Sequence, residues 1–458
     1  MMPEIEKLKN ILLVGAGGNT GKWYLNLMIS KGHYVFAYDS NPRYQVSSSL
    51  KGKGEIVSQS DFESAEILNK TDGITLSPGV PLKQSIFAEA AKKNIPVFSE
   101  AEYCMPYLEN KKMICVTGTD GKSTVTALVT HLLSEKESVS CGNFGVPFSE
   151  VVLEEEKYAN IKTLTAELSS YQLELFRNIR CDCAIFLNIA DDHLNRYKNK
   201  EEYEQAKWNI IRNASENDLL IVNKNLLENK EKKIMADIIA VDCENIKSKN
   251  FYWKDEYLLN SNNQKLLQKN DLHIQGRHNL SNILFSLEAV KKINTGLKLE
   301  TIVSRLKNFQ GLKHRFEIIK SNDENIYIND SKATTGQAVM KALENVSSHI
   351  FLFMGGQSKH ENYENLGQKI KEKNAAVFLF GKDKNELKES FQKKDIFIAG
   401  SFESLDDAFY AAKKYQKKEN IKSAVYLLSP AMTSWDSYKN FEERGEHFRR
   451  LVLSSSHI

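Results

Sequence analysis

Short β-rich runs alternate with longer helical patterns along almost the whole chain, and this alternation restricts the fold more than any other feature. A parallel strand reaches its neighbour only through a crossover of a dozen or more residues, so strand–helix repetition points to βαβ units and parallel sheets. Strands are expected at ILLVG (11–15), YVFAYD (34–39), GITLSPG (73–79) and IPVFSE (95–100), with helices near 20–31 and 83–93. A polar stretch around 104–112, crossing Pro106, reads as a linker. A second unit runs from MICVTG (113–118) and a helix at about 122–134 to TLTAELSS (163–170), CAIFLNI (183–189) and DLLIVN (218–223). Residues 224–275 are polar and read as an antiparallel or loop-rich excursion ahead of a helix near 279–293. From GLKHRFE (311–317) a third unit carries IYIND (326–330), IFLFMGG (350–356), AVFLFGK (376–382), IFIAG (396–400) and AVYLLSP (424–430), which reads as another doubly wound sheet.

Length agrees with this division. At roughly 100–200 residues per domain, 458 residues give two to four domains, with three as the central expectation. Sixty-two basic residues against 59 acidic leave +3, too little to imply a nucleic-acid or membrane partner. No apolar run approaches the roughly 20 residues of a membrane span, and the first residues lack a signal-peptide pattern. The six cysteines form no C-x-x-C pair, so neither a disulfide scaffold nor a structural zinc site is expected. Cys115 and Cys183 sit in apolar runs and read as small buried hydrophobes. A soluble cytoplasmic protein is expected.

Two glycine loops each lie between a strand and a helix. GAGGNTG, Gly15 to Gly21, would let a diphosphate approach the backbone at a helix N-terminus, and Asp39 closes the next strand where a ribose would sit. The third glycine falls at 21, one residue later than G-x-G-x-x-G requires, so a tight structural turn remains the alternative. The second loop, G-T-D-G-K-S-T, spans Gly118 to Thr124. It departs from the strict phosphate-loop pattern because Val116 and Thr117 precede Gly118. Its mechanics are nevertheless intact. Backbone N–H groups of Gly118, Thr119, Asp120 and Gly121 can face phosphates, Lys122 can neutralise them, and Ser123 or Thr124 can ligate Mg²⁺. A glycine turn before a helix-starting Ser-Thr pair is the plainer alternative.

This loop is followed in order by ELSSYQLE (167–174), NIADDHLNRY (188–197), YEQAKWNII (203–211), GRHNLSN (276–282), GLKHRFE (311–317), INDSKAT (328–334) and SPAMTSWDSYKNFEERG (429–445). The set resembles the Mur ligases of bacterial peptidoglycan synthesis over essentially the whole chain. ELSSYQLE, GLKHRFE and the KNFEERG stretch are similar to the member that adds D-glutamate. The tripeptide N-P-R at 41–43, part of the signature of a relative adding a diamino acid, lies at the wrong end of the chain and carries no weight.

The resemblance implies an α/β fold of three domains: an N-terminal Rossmann-like domain (1–109) for a UDP substrate, a central P-loop ATPase-like parallel sheet (110–312), and a C-terminal Rossmann-like domain (313–458) for the amino acid. It implies an ATP-dependent ligase that joins D-glutamate to UDP-N-acetylmuramoyl-L-alanine through an acyl phosphate. Lys122 would meet the β/γ-phosphates. Ser123, Thr124 and Glu167 would lie beside one Mg²⁺ and His193 beside a second, and Lys207 would be the lysine that is carbamylated in several relatives. Asn279 and Asp330 would lie near adenine and ribose, and Arg315 near the γ-phosphate at a linker about which the domains close. Gly15, Gly17, Asp39, Asn143 and Ser169 would contact the UDP substrate. Lys332, Thr334, Lys359, Ser434 and Phe441 would line the amino-acid side. No nucleic-acid partner and no membrane insertion are implied, and a monomer is the default. Asp120, the longer first loop, the GGQSKHENY run around Lys359 and Trp435 beside Ser434 depart from the common pattern. Other Mur ligases and folylpolyglutamate synthases are the alternatives within this chemistry. A nicotinamide-dependent dehydrogenase would use only GAGGNTG and Asp39, and a non-catalytic nucleotide-binding module would leave Lys122, Glu167 and His193 without purpose.

Overall fold

The computed structural model describes residues 5–41, 50, 52–77, 80–82, 84–190, 197–227, 234–274, 276–347, 349–358 and 360–455. The chain divides into two compact units, Met1–Phe309 and Gln310–Ile458. Among the described residues the first unit holds two parallel sheets. One contains β1 (Asn10–Val14), β2 (Tyr34–Tyr38), β3 (Gly54–Ile56), β4 (Gly73–Leu76) and β5 (Val97–Ser99), ordered 3-2-1-4-5. The other contains β6 (Lys112–Thr117), β7 (Ser138–Gly142), β8 (Thr163–Glu167), β9 (Cys183–Phe186), β10 (Leu219–Asn223) and β11 (Asp237–Val241), ordered 11-10-9-6-8-7. In each, the strand ahead of a glycine loop is central, and the chain leaves it to opposite sides. A crevice therefore opens beyond its C-terminal end, where α/β sheets hold ligands.

The two sheets share one hydrophobic core. Leu13, Tyr24, Leu27 and Tyr103 from the first pack with Phe148, Val151, Leu164 and Phe176 from the second. The stretch read in part as a polar linker is a helix, Glu100–Cys104, followed by a short 3₁₀ turn, Met105–Tyr107. Tyr103 and Cys104 are fully buried in that core, which is why this segment packs rather than hangs free. The excursion at 224–275 is part parallel and part antiparallel. β11 extends the second sheet, whereas β12 (Phe251–Lys254), β13 (Tyr257–Asn260) and β14 (Lys265–Gln268) form an antiparallel meander. Buried Glu288, on the helix Arg277–Ile293, anchors the meander by accepting hydrogen bonds from Ser248 Oγ at 2.7 Å and from Asn250 N at 2.7 Å. Cys115 was expected to be a plain buried thiol, but it is disulfide-bonded to Cys181, with Cα atoms 6.0 Å apart. That separation lies within the range a bridge can span.

The second unit is a mixed sheet of β15 (Glu317–Ile319), β16 (Ile326–Asn329), β17 (Ile350–Gly355), β18 (Ala376–Phe380), β19 (Ile398–Ser401) and β20 (Val425–Leu428), ordered 15-16-20-17-18-19. Only β15 runs antiparallel to its neighbour among these strands. Every residue of β17 is buried. Leu352 and Met354 face one apolar layer, while Phe351 and Phe353 face the other. This is why the strands read as continuous apolar runs rather than alternating ones.

Glu100 stands inside the shared core of the first unit. Its carboxyl accepts hydrogen bonds from Ser149 N at 2.9 Å and Ser149 Oγ at 2.5 Å, and burial pushes its pKa up to about 7. Between the ordinary carboxylate value and pH 7 the folded chain keeps a proton that the unfolded chain has lost, so stability falls as pH rises through that window. Glu100→Gln is expected to remove a decline on the order of 2–3 kcal/mol between about pH 4.5 and 7, read by denaturant titration across pH. An unchanged slope in the variant would show that Glu100 does not hold that proton.

Candidate functional site

β6 delivers the chain into the second glycine loop, where Gly118 has φ +150° and Gly121 φ +81°. Only glycine reaches such angles without strain. Space demands glycine as well: a Cβ on Gly121 would lie 2.9 Å from Asn282 Oδ1, and one on Gly118 would lie 3.0 Å from Leu187 Cβ. The helix Lys122–Leu133 starts directly after the loop, so the N–H groups of its first turn face the loop. Lys122 Nζ donates to the carbonyls of Gly118 at 2.9 Å and Thr119 at 2.8 Å, folding back over the loop.

Asn188, just beyond β9, braces this loop. Its Oδ1 accepts the N–H groups of Thr119 at 3.1 Å and Asp120 at 2.9 Å, and its Nδ2 donates to Asp120 O at 3.1 Å. On the other side, Asn282 Nδ2 donates to Asn279 Oδ1 at 3.0 Å beside Gly121. Asn279 was expected at this site, whereas Asn188 and Asn282 were not singled out. Both lie inside the motifs NIADDHLNRY and GRHNLSN, but nothing in their spacing shows that a side chain turns toward a loop 68 or more residues away.

Glu167 ends β8 and is buried. Ser123 Oγ donates to its Oε2 at 2.5 Å, and Asn143 Nδ2 donates to its Oε1 at 2.6 Å. Asn143, expected as a substrate contact, thus orients the acid. Ser123 and Glu167 offer hydroxyl and carboxylate oxygens, the donor types Mg²⁺ takes. Thr124 stands next on the same helix, partly exposed. Among the described residues no group of three or more His, Cys, Asp or Glu side chains converges. His193, the expected residue for a second metal, lies outside the described residues.

Lys207, on the helix Lys200–Trp208, is 1% exposed, and its Nζ donates to Gly118 O at 2.8 Å and sits 4.6 Å from the centre of the Tyr203 ring. Ser169 caps the helix Ser170–Glu174 in a reciprocal box with Gln172, so its hydroxyl already has a structural role.

In the first glycine loop Gly15 has φ +83°. A Cβ on Gly21 would lie 2.4 Å from Gly15 O, so the late third glycine lets the helix Asn19–Ser30 press against the loop. Asp39 Oδ2 accepts the N–H of Gly17 at 2.7 Å, and its Oδ1 that of Asn41 at 2.9 Å. The acid expected at a ligand therefore also fixes the loop's shape. The rest of the N-P-R tripeptide, residues 42 and 43, lies outside the described residues.

In the second unit, Asp330 follows β16. It accepts hydrogen bonds from Phe316 N at 3.1 Å and Ser429 Oγ at 3.0 Å, and desolvation pushes its carboxyl up to about 7 despite the nearby Arg315 cation. Lys332 Nζ lies 4.0 Å from the centre of the Phe441 ring. Thr334 donates its N–H to Lys332 O at 2.8 Å. Ser434 is buried, and its neighbour Trp435 is 71% exposed. Arg315, Asp330, Lys332, Thr334, Ser434 and Phe441 thus gather at the C-terminal ends of β16 and β20. Lys359 lies outside the described residues.

Residues 116–290 match the family model described as Mur ligase middle domain, and residues 314–431 match that described as Mur ligase, glutamate ligase domain. The UDP-N-acetylmuramoylalanine–D-glutamate ligase of Aquifex aeolicus is 34% identical over 445 residues, covering 96% of this chain and 98% of that protein. The enzyme of the same name from Caldicellulosiruptor bescii is 29% identical, covering 97% and 98%. Among solved structures, MurF ligase of Thermotoga maritima in complex with ADP superposes with a TM-score of 0.55 at 16% identity, over 98% of this chain and 99% of that one. MurF of Acinetobacter baumannii gives 0.58 at 15% identity, over 99% and 95%.

Asn188→Ala removes the acceptor that holds two loop N–H groups in place. Nucleotide affinity is expected to fall about tenfold, the effect of one lost hydrogen-bonded brace. Calorimetric titration with ADP checks this, and an unchanged Kd would mean the loop holds its shape without Asn188.

Proposed function

The chain belongs to the Mur ligase family, and on that premise we propose that it joins D-glutamate to UDP-N-acetylmuramoyl-L-alanine, with ATP cleaved to ADP and phosphate. It is an ATP-dependent ligase of peptidoglycan precursor synthesis. The observation that carries this reading is the glycine loop with Lys122 and the buried Ser123–Glu167 pair, set in a chain that aligns end to end with D-glutamate ligases.

The carboxylate of the UDP substrate is a poor electrophile. It attacks the γ-phosphorus of ATP, ADP leaves, and an acyl phosphate results. The amine of D-glutamate then adds to the acyl carbon, loses a proton, and phosphate leaves as the amide forms. Catalysis of such steps is mostly positioning and charge neutralisation. Lys122 is the cation for the β/γ-phosphates, and the loop Gly118–Gly121 is the cradle, with the N–H groups of Thr119 and Asp120 held by Asn188 to fix its shape. Glu167, Ser123 and Thr124 would hold Mg²⁺, which when bound supplies charge neutralisation between phosphates and carboxylate. His193 is proposed for a second Mg²⁺. Asn279 and Asp330 are proposed for adenine and ribose, and Arg315 for the γ-phosphate. Gly15, Gly17, Asp39, Asn143 and Ser169 serve the UDP substrate, and Lys332, Thr334, Lys359, Ser434 and Phe441 serve D-glutamate. A lysine at this last site suits a substrate with two carboxylates. The proposal extends to domains at 1–109, 110–312 and 313–458, a monomer, and a cytoplasmic location. No helix among the described residues is long and apolar enough to cross a membrane.

Phosphate release with ATP, Mg²⁺ and UDP-N-acetylmuramoyl-L-alanine is expected to depend on D-glutamate. Equal rates with L-glutamate, or activity only with a folate, would overturn the assignment. Lys122→Ala is expected to abolish turnover while UDP-substrate binding stays nearly unchanged.

Lys207 is proposed to carry a carbamate. A carbamate forms when a neutral lysine amine reacts with CO₂, and the buried Nζ lies beside the glycine loop that would hold the phosphates. Lys207→Ala is expected to lose activity that short carboxylates partly restore, and intact-mass analysis under CO₂ should show the adduct on the unmutated chain only. Full activity in the variant, without any rescue, would remove the carbamate.

A further inference from the structure

Arg444 lies in the KNFEERG run, on the first turn of the helix Phe441–Ser455, and is 0% exposed. Its guanidinium reaches three loops at once. Nε donates to Ser331 Oγ at 3.0 Å, Nη2 to Ser331 O at 2.9 Å and Met432 O at 3.1 Å, and Nη1 to Gly355 O at 3.4 Å. Ser331 follows β16, Met432 follows β20, and Gly355 ends β17. These strands are adjacent in the order 16-20-17, at the centre of their sheet. Ser331 Oγ in turn donates to Phe441 O at 2.8 Å, closing the circuit onto Arg444's own helix.

The fit is built. Gly356 has φ +133°, and a Cβ there would lie 3.1 Å from Arg444 Nη1 and 2.1 Å from Thr433 O. A buried cation is a poor device for stability alone, because it gives up its hydration. A planar fork of five donors is instead suited to holding several carbonyls in a fixed relation. The tethered points flank the proposed D-glutamate residues. Lys332 directly follows Ser331, Ser434 is two residues past Met432, and Phe441 is one helical turn before Arg444.

We propose that Arg444 is a positioning residue for the amino-acid acceptor: it fixes the spacing of the loops after β16, β17 and β20, and so sets the affinity for D-glutamate without touching it. This rests on the D-glutamate reading of Lys332, Ser434 and Phe441 given above. Lysine cannot replace it, since one ammonium on a flexible stem cannot span carbonyls from three loops.

The test is steady-state kinetics of phosphate release for the full chain, Arg444→Lys and Ser331→Ala, each first checked for folding by circular dichroism. Arg444→Lys is expected to raise KM for D-glutamate about tenfold or more, with KM for ATP and for the UDP substrate within about twofold of the parent. Ser331→Ala removes one acceptor and is expected to raise KM for D-glutamate about two- to fivefold with the same selectivity. It carries the test if Arg444→Lys does not fold. A parent enzyme active with D-glutamate, whose variants keep its KM or shift all three KM values alike, would overturn the positioning role and leave the function intact. A parent inactive with D-glutamate would overturn both.

Discussion

A carboxyl group buried at the end of β8, the strand beside β6, is the interaction on which the proposed nucleotide site depends. Glu167 is buried with both oxygens satisfied, one by Ser123 and the other by Asn143. A carboxyl group without such partners would be costly to bury. Those donors come from the first turn after the glycine loop and from the loop after β7, so one acid sets the relation of three chain segments. The loop is then shaped from the opposite side by Asn188, which accepts two of its N–H groups. Lys207 reaches the same loop by donating to Gly118 O. The hollow is therefore formed by side chains from several strand ends and helices, each satisfied locally, rather than by the glycines alone.

The same solution recurs in the other sheets with different chemistry. In the first, Asp39 holds Gly17 N, and Gly21 lets a helix close on Gly15. In the last, Arg444 gathers carbonyls from the loops after three neighbouring strands. An acid, an amide and a guanidinium each do the work of satisfying backbone groups at the C-terminal edge of a sheet. Such groups must be paired wherever the crevice excludes water, and the partner chosen also fixes loop geometry.

Much of this was legible in the chain. Strands such as IFLFMGG and MICVTG read correctly because a strand buried on both faces is a continuous apolar run of the right length. The glycine loops read correctly because a glycine between strand and helix reports a backbone need. The excursion at 224–275 was read only as antiparallel or loop-rich, since polar Asn- and Lys-rich sequence hides a meander whose buried side is small. Within the stretch read as a linker at 104–112, Cys104 and Leu108 are buried in the core shared by the two sheets, which its polar composition does not announce. Asn188, Asn282 and Arg444 were missed because a polar side chain gives no sequence signal of where it points.

The sequence alone determined parallel α/β sheets and the position of both glycine loops, because strand period and glycine placement are local properties. Only the tertiary structure decided that Lys207 is buried against Gly118, that Asp39 and Asn143 spend hydrogen bonds within the protein, that Cys115 meets Cys181, and that Arg444 ties three loops together. Each of those depends on residues far apart in the chain being brought within about 3 Å, or within the span of a disulfide, and hydrogen bonds of that length are fixed by packing rather than by sequence spacing.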